Sequence, residues 1–454
     1  MKKLPPVIKN QEFDTEIIDL TYQGMGVAKV DGYPLFIENA LPGEKVSIRV
    51  MKVSKNFGFA KVLAFRNESP DRVETKGSAY TQTGIAPLQH LAYPAQLKFK
   101  QAQVQELLKK AHLDIEVSDA IGMEDPFHYR NKAQVPVREI AGELKTGFFK
   151  KNSHDFIAIE DFLIQDEEID KAIVAVRDVL QRFHVEAYDE RAHKGIIRHI
   201  MVRRGHYSKQ MMVVLVTRSK KLPMFTEITA AIREALPDVT TIVQNTNSEK
   251  TNVILGRENK VLFGPGYIED QLNGLTFRIS PHSFYQINPV QTEKLYAAAF
   301  ERAGLTGNET VIDAYSGIGT ISLSMAKHAR QIYGVELVSE AVKDAKENAK
   351  INDIDNVRFE TGMAENWMEN WSHANLRPDV LVVDPPRKGL EPAFIESTLK
   401  MQPKKVVYIS CNPSTLVRDI EGFMADGYKV TKPILPVDQF PQTTHIETVT
   451  ILEK

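Results

Sequence analysis

The sequence predicts an α/β chain in three parts: a small β-barrel over residues 1 to 65, a β-rich central region over 66 to 280, and a doubly wound, mainly parallel sheet over 281 to 454. Three observations predict it. From about residue 290 short apolar runs alternate with helical patterns, which is the grammar of a parallel sheet covered on both faces. Residues 11 to 65 instead alternate apolar and polar positions and are cut by turn signals at Gln23-Gly24, Asp31-Gly32, Pro42-Gly43 and Phe57-Gly58. The length of 454 residues is enough for about three domains, each with its own core.

Composition bounds the function classes. A net charge of −2 excludes a chain that is basic throughout, although a local patch can still bind a polyanion. One cysteine excludes an intrachain disulfide framework, and a thiolate metal cluster cannot be built from it either. The start, Met1-Lys2-Lys3-Leu4-Pro5-Pro6, is followed by polar residues, so no secretory leader is expected. The longest apolar run, Met211 to Val216, is too short to span a bilayer. These features predict a cytoplasmic, monomeric enzyme with no membrane partner.

In the central region Gln89 to His112 carries the period of an amphipathic helix, placed to pack on the C-terminal domain. Tyr129-Arg130-Asn131-Lys132 opens a β-rich stretch, and Gly142 to Gly147 is expected to turn a hairpin returning through Gly147 to Lys151. A helix is predicted over Asp166 to Phe183. Between Arg191 and Lys221 stand nine Lys/Arg, three His and no Asp or Glu, which reads as a basic field for phosphates or as a solvated strand pair with edge lysines.

C-terminal strands are predicted at Thr310 to Asp313, Gln331 to Val335, Val357 to Phe359, Val380 to Val383 and Val406 to Ile409. Helices are predicted between them at Thr320 to His328, Ser339 to Asn352, Ala393 to Met401 and Ser414 to Ala425. Chemistry-bearing residues fall just past the strand ends, where open α/β sheets bind ligands. After the first strand comes Tyr315-Ser316-Gly317-Ile318-Gly319, whose glycines let a ligand approach the backbone. Glu336, nineteen residues after Gly317, can accept hydrogen bonds from ribose hydroxyls. The pair specifies an adenosine-type cofactor without separating a dinucleotide from S-adenosylmethionine. Asp384-Pro385-Pro386-Arg387 resembles the Asp/Asn-Pro-Pro-aromatic motif of amino methyltransferases, with Arg387 in place of the aromatic residue. Ser410-Cys411-Asn412-Pro413 puts the one cysteine at a strand end; a lone cysteine is otherwise a small buried hydrophobe.

Gly24-Met25-Gly26-Val27-Ala28-Lys29, with Leu35-Phe36-Ile37 and Ala40 to Glu44, resembles the TRAM domain, an OB-like barrel found on RNA-modifying enzymes. Phe284-Tyr285-Gln286-Ile287-Asn288, Asp313 to Gly317, Asp384 to Arg387, Ser410 to Pro413 and His445-Ile446-Glu447-Thr448-Val449 together resemble the RNA uracil-5-methyltransferase family. With the barrel in front they resemble the members that make 5-methyluridine in bacterial 23S ribosomal RNA. The resemblance implies a Rossmann-like methyltransferase domain in which Gln286, Tyr315, Glu336 and Asp384 line the site for S-adenosylmethionine and the target base. It gives Cys411 the role of nucleophile and Glu447 that of base. Many relatives carry a four-cysteine iron–sulfur cluster; the corresponding positions here are Gly77, Thr83, Ala86 and Phe162, so no cluster is expected.

Those residue types suit the chemistry. Uracil C5 is a poor nucleophile until a thiolate adds to C6, and the C5 proton must then leave by a general base. A free thiol has a pKa of about 8.5, so its surroundings are expected to lower it. The target uridine is expected in a loop or flipped out of a duplex. Two other readings stand beside this one: a cytosine-5 RNA methyltransferase, and an RNA-binding assembly factor without turnover.

Overall fold

The computed structural model describes residues 4–454, so Met1, Lys2 and Lys3, where the leader reading begins, lie outside the described residues. Its C-terminal part is an eight-stranded sheet in the order Val357–Thr361, Gln331–Glu336, Thr310–Ala314, Val380–Val383, Lys405–Ser410, Glu447–Glu453 and Lys429–Val430, with Leu435–Val437 paired to Glu447–Glu453. The strands from Val357–Thr361 to Lys405–Ser410 run parallel, and Glu447–Glu453 closes them antiparallel. Neighbouring residues go to opposite faces because the side-chain period of a strand is two. Val311, Val382 and Val407 join one core with Leu295, Ile321 and Val342, whereas Ile312, Leu381 and Val406 join another with Val104, Phe394 and Leu416. Helices therefore cover both faces, as the alternating pattern predicts. Strand order reverses between Thr310–Ala314 and Val380–Val383, a switch point that leaves a crevice at the carboxyl ends.

The barrel is a six-stranded sheet between Glu12 and Phe65, closed around Leu35, Ile37, Val46, Ile48 and Val50. The central region is a seven-stranded sheet from Lys132–Ile140 to Glu258–Phe263, packed beneath the helices Glu167–Arg182 and Phe225–Ala235. The first of those helices starts where the sequence places it, because Asp166 caps it by accepting from the Glu168 amide at 2.9 Å.

Several expectations need correction. The helix expected over Gln89 to His112 is Tyr93–Lys110: Pro94 fits only its first turn, and Gln89 is spent holding Lys76 and Gly77. The hairpin turns at Ala141-Gly142 and not at Gly147, which sits inside Glu143–Phe149 where a Cβ would lie 1.9 Å from the Ile157 carbonyl oxygen. Helices Pro289–Ala303 and Ala364–His373 were not expected at all.

The basic field is the largest correction. Its strands, Ile197–Arg204 and Met211–Thr217, are inner strands of the central sheet, so neither is a solvated edge. Arg203 is 1% exposed and donates to the carbonyls of Ser280 and Ser283 at 3.3 and 3.0 Å. Arg198 is also buried, and Arg204 pairs with Asp166 at 2.9 Å. Charge counting cannot see burial. Arg203→Gln is therefore expected to destabilise the fold by about 3 kcal/mol, from lost charge-assisted hydrogen bonds, and to leave the salt dependence of RNA binding unchanged. Denaturant unfolding beside a salt titration checks both halves.

At the positions where relatives carry cluster cysteines, ordinary packing is found. Phe162 is fully buried edge-on to Phe148, Ala86 is buried, and Thr83 Oγ1 donates to the Ala79 carbonyl. No helix of the described residues is long and apolar enough to cross a membrane.

Candidate active site

A cavity of about 970 Å³ opens at the carboxyl ends of the parallel strands. That is the upper end of the range for small-molecule clefts, about 300–1,000 Å³, and leaves room for more than one ligand group. Gln286, Tyr315, Glu336, Asp384, Cys411 and Glu447 all line it. The structure thus brings all six sequence-derived residues together.

One half is built on the loop after Thr310–Ala314. Tyr315 holds a positive φ of 77° for a non-glycine residue, a strained conformation fixed by the Tyr315 and Ser316 amides donating to the Val335 carbonyl. Gly317 follows with open space where a side chain would stand, so a ligand can lie against the backbone. The Glu336 carboxylate accepts from the Gly317 amide at 3.1 Å and from the Val338 amide at 2.9 Å, which locks it at the strand end with acceptor capacity to spare. On the same wall Ser316, 4% exposed, has an Oγ with no hydrogen-bond partner among the described residues. An acidic acceptor, an unpaired hydroxyl and a bare backbone fit a nucleoside with an amino-acid tail.

The other half carries the thiol. Antiparallel pairing of Lys405–Ser410 with Glu447–Glu453 ends at Ser410 opposite Thr448, so the next step of that register sets Cys411 beside Glu447. Residues opposite each other across such a ladder point to one face, which explains why residues 36 apart in sequence share a wall. Asn412 stops the strand and caps the helix Pro413–Met424 by accepting from the Ser414 amide. Glu447 is 4% exposed and its Oε2 has no hydrogen-bond partner among the described residues. Its strand is buried on both faces from Glu447 to Leu452, so Glu447 is not the outward residue that an alternating strand would allow.

Burial raises Glu447 well above the usual carboxylate range, with Asp384 adding to the effect and Arg387 opposing it. Burial likewise pushes Asp384 up to about 7. Two buried carboxyls that raise each other cannot both hold a charge easily. The expected lowering of Cys411 is not met in the protein alone: burial, then Glu447 and Asp384, push the thiol up to about 12, and Arg387 is the side chain that opposes them. Arg387 sits where amino methyltransferases carry an aromatic residue. Its charge is what a thiolate here requires.

Sequence reasoning passed over Phe284 and His445, which also line the cavity. Phe284 is 66% exposed, an aromatic face that a planar base can cover. Both stand inside motifs read for their neighbours, Gln286 and Glu447, so the signal was one or two residues away. Gln286 itself is fixed from the central domain, where the Asn131 side chain donates to its carbonyl at 3.1 Å.

Comparison with known proteins agrees with this arrangement. Residues 92–454 match the family model for tRNA (uracil-5-)-methyltransferase, and residues 6–63 match the TRAM domain. An RNA methyltransferase of Lactiplantibacillus plantarum is 61% identical over the full length of both chains, and one of Enterococcus faecalis is 54% identical over 99% of this chain and 98% of its own. Among solved structures, the Pyrococcus abyssi tRNA (uracil-54, C5)-methyltransferase in complex with S-adenosyl-L-homocysteine is 25% identical, with a TM-score of 0.77, covering 97% of this chain and 99% of that one.

Proposed function

The chain belongs to the S-adenosylmethionine-dependent RNA uracil-5-methyltransferase family, and from that premise we propose that it methylates C5 of uridine in 23S ribosomal RNA through a bond between Cys411 Sγ and C6. The observation that carries the reading is the shared wall of Cys411, Glu447 and Asp384 at the end of one sheet, beside a nucleoside-shaped recess. S-adenosylmethionine supplies an electrophilic methyl group on a sulfonium; Tyr315, Ser316, Gly317 and Glu336 are the residues that would hold it.

The remaining steps belong to the chain's own residues. Cys411 Sγ, as the thiolate, adds to C6, and the electron pair of the C5–C6 double bond moves toward C5 and the adjacent carbonyl. C5 then uses that electron pair to take the methyl group, with the S–CH3 bond of the sulfonium breaking to leave a neutral thioether, and becomes a saturated carbon with one proton. Glu447, as carboxylate, removes that proton; the double bond reforms and expels the Cys411 thiolate. Asp384, when it carries a proton, removes the neighbouring negative charge that helps to raise Glu447, which favours the Glu447 carboxylate. Arg387 offsets the burial of both the thiolate and the carboxylate.

Ribosomal RNA is supported by the five motifs read together with the barrel. Transfer RNA is a second reading, favoured by the P. abyssi likeness, which extends over nearly the whole chain. Mapping 5-methyluridine in 23S ribosomal and transfer RNA, from cells with and without the protein, separates them. A 23S uridine that loses its methyl group supports the first; loss confined to transfer RNA supports the second and overturns the first. Absence of any change in either RNA overturns both.

A further inference from the structure

A second cavity, of about 1010 Å³, lies where the barrel, the central sheet and the segment before Glu447 meet. His445 lines both this cavity and the candidate active site, so the two compartments adjoin.

Its barrel wall is aromatic. Alternation along Tyr33–Glu38 and Gly58–Phe65 buries Leu35, Ile37 and Ala60 in the barrel core and turns Phe36 and Phe59 outward as register partners. Phe57 adjoins them, and the three rings stand 5.7 to 5.9 Å apart between centroids. The outer face of a small barrel is ordinarily polar, and grouped aromatic rings there call for a partner.

Cations share the cavity with the rings: Lys61 stands on the barrel strand of Phe59, Arg130, Lys132 and Lys151 come from the central region, and Glu38 is the single lining carboxylate among the described residues. Of these four, only Lys151 has a carboxylate partner among the described residues, Glu38 at 3.6 Å. Gln165, 5% exposed, contributes an Oε1 that has no hydrogen-bond partner among the described residues. Aromatic faces with uncompensated cations and an unpaired amide are complementary to an unpaired nucleotide: the rings take the base and the cations take the phosphate.

We propose that this cavity is a second nucleotide subsite, stacking an unpaired base next to the target uridine on Phe36 and Phe59 with its phosphate among Lys61, Arg130 and Lys132. It rests on the reading of the adjoining site as RNA-methylating. A consequence is that the substrate is single-stranded on the side facing the barrel, because a paired base cannot enter.

The test uses the full-length protein and oligouridylates of about ten nucleotides, each carrying one 2-aminopurine whose fluorescence is quenched by stacking. Wild-type protein is expected to quench the probe. Phe36→Leu/Phe59→Leu, which keeps apolar bulk, is expected to abolish the quenching and weaken binding about tenfold. Lys61→Gln, at an exposed position, is expected to reduce the salt slope of binding by about one and leaves the barrel core intact should the double variant fail to fold. Unchanged quenching in the folded double variant, an unchanged slope in Lys61→Gln, or no quenching by wild type overturns the subsite. Methyl transfer to bulk RNA is assayed separately with labelled S-adenosylmethionine. A protein that methylates without quenching keeps its function and loses the subsite; one that quenches without methylating keeps the subsite and loses the function.

Discussion

Cys411→Ala is expected to lower methyl transfer by orders of magnitude without forming any covalent RNA complex, while Glu447→Gln accumulates one that carries the methyl group. The order of steps separates the two. Cys411 acts first, so its loss removes adduct and product together but leaves S-adenosylmethionine bound, because Tyr315, Ser316 and Glu336 are untouched. Glu447 acts only after methylation, so its loss permits attack and transfer and blocks elimination. With labelled S-adenosylmethionine the stalled complex is a denaturation-resistant band. Normal turnover by Glu447→Gln would return that residue to a packing role, and an inactive variant without adduct would move its action ahead of methylation.

The electrostatics add a pH dependence to the same experiment. A thiol pushed up to about 12 is almost wholly protonated at neutral pH, so the thiolate is scarce before RNA binds. Adduct formation by Glu447→Gln should therefore quicken as pH rises across the neutral range. Replacing the carboxylate removes a group that raises the thiol, so the variant should reach a given adduct rate at lower pH than an otherwise equal enzyme that keeps Glu447. Arg387→Gln acts in the opposite sense: it removes the opposing charge and should slow adduct formation at every pH below the thiol's. A pH-independent adduct rate would show that ionisation of Cys411 is not part of the barrier.

How much of this was legible in the sequence follows from how each residue is placed. Tyr315, Asp384 and Cys411 each follow a parallel strand and Glu336 ends one, and parallel strands bring their carboxyl ends to one edge whatever lies between them. Four short apolar runs were thus enough to gather four site residues. Glu447 could be gathered only by family likeness, since nothing in an alternating strand tells which face it presents until its pairing with Lys405–Ser410 is known. The basic stretch shows the converse: nine cations looked like a surface, but sheet order put Arg198 and Arg203 inside, a matter of which strands flank them. Helix Pro289–Ala303 escaped because its apolar residues are interleaved with polar ones that the fold later buries, Gln291 and Thr292, whereas Ala364–His373 buries only Ala364, Met368 and Trp371, too few apolar positions to stand out in ten residues.

Least legible of all was the ion pair between Lys100 and Asp438, which lie 338 residues apart, and it underlies the second large effect. Both side chains are fully buried, and Lys100 Nζ donates to Asp438 Oδ1 at 2.5 Å and to the Phe440 carbonyl at 3.1 Å. Tyr93 donates to Asp438 Oδ2, Gln96 and Gln442 bond each other, and Tyr129 donates to the Pro441 carbonyl. Asn288 and Gln291 hold the Gln439 and Asp438 carbonyls from the other side. The segment from Asp438 to His445 is thereby tied to three separate parts of the chain, and it delivers Glu447 to the cavity. Lys100→Met leaves a buried carboxylate with one remaining side-chain donor, a defect of about 3–5 kcal/mol. It should also lower kcat by up to about 10²-fold, since a displacement of about 1 Å at Glu447 is enough to misplace a general base. Adding Asp438→Asn should recover most of the stability: its carbonyl oxygen can still accept from Tyr93, and no charge is left unpaired. Denaturant unfolding of the single and double variants measures this. A Lys100→Met protein as stable and active as wild type would show that the segment is held without the ion pair.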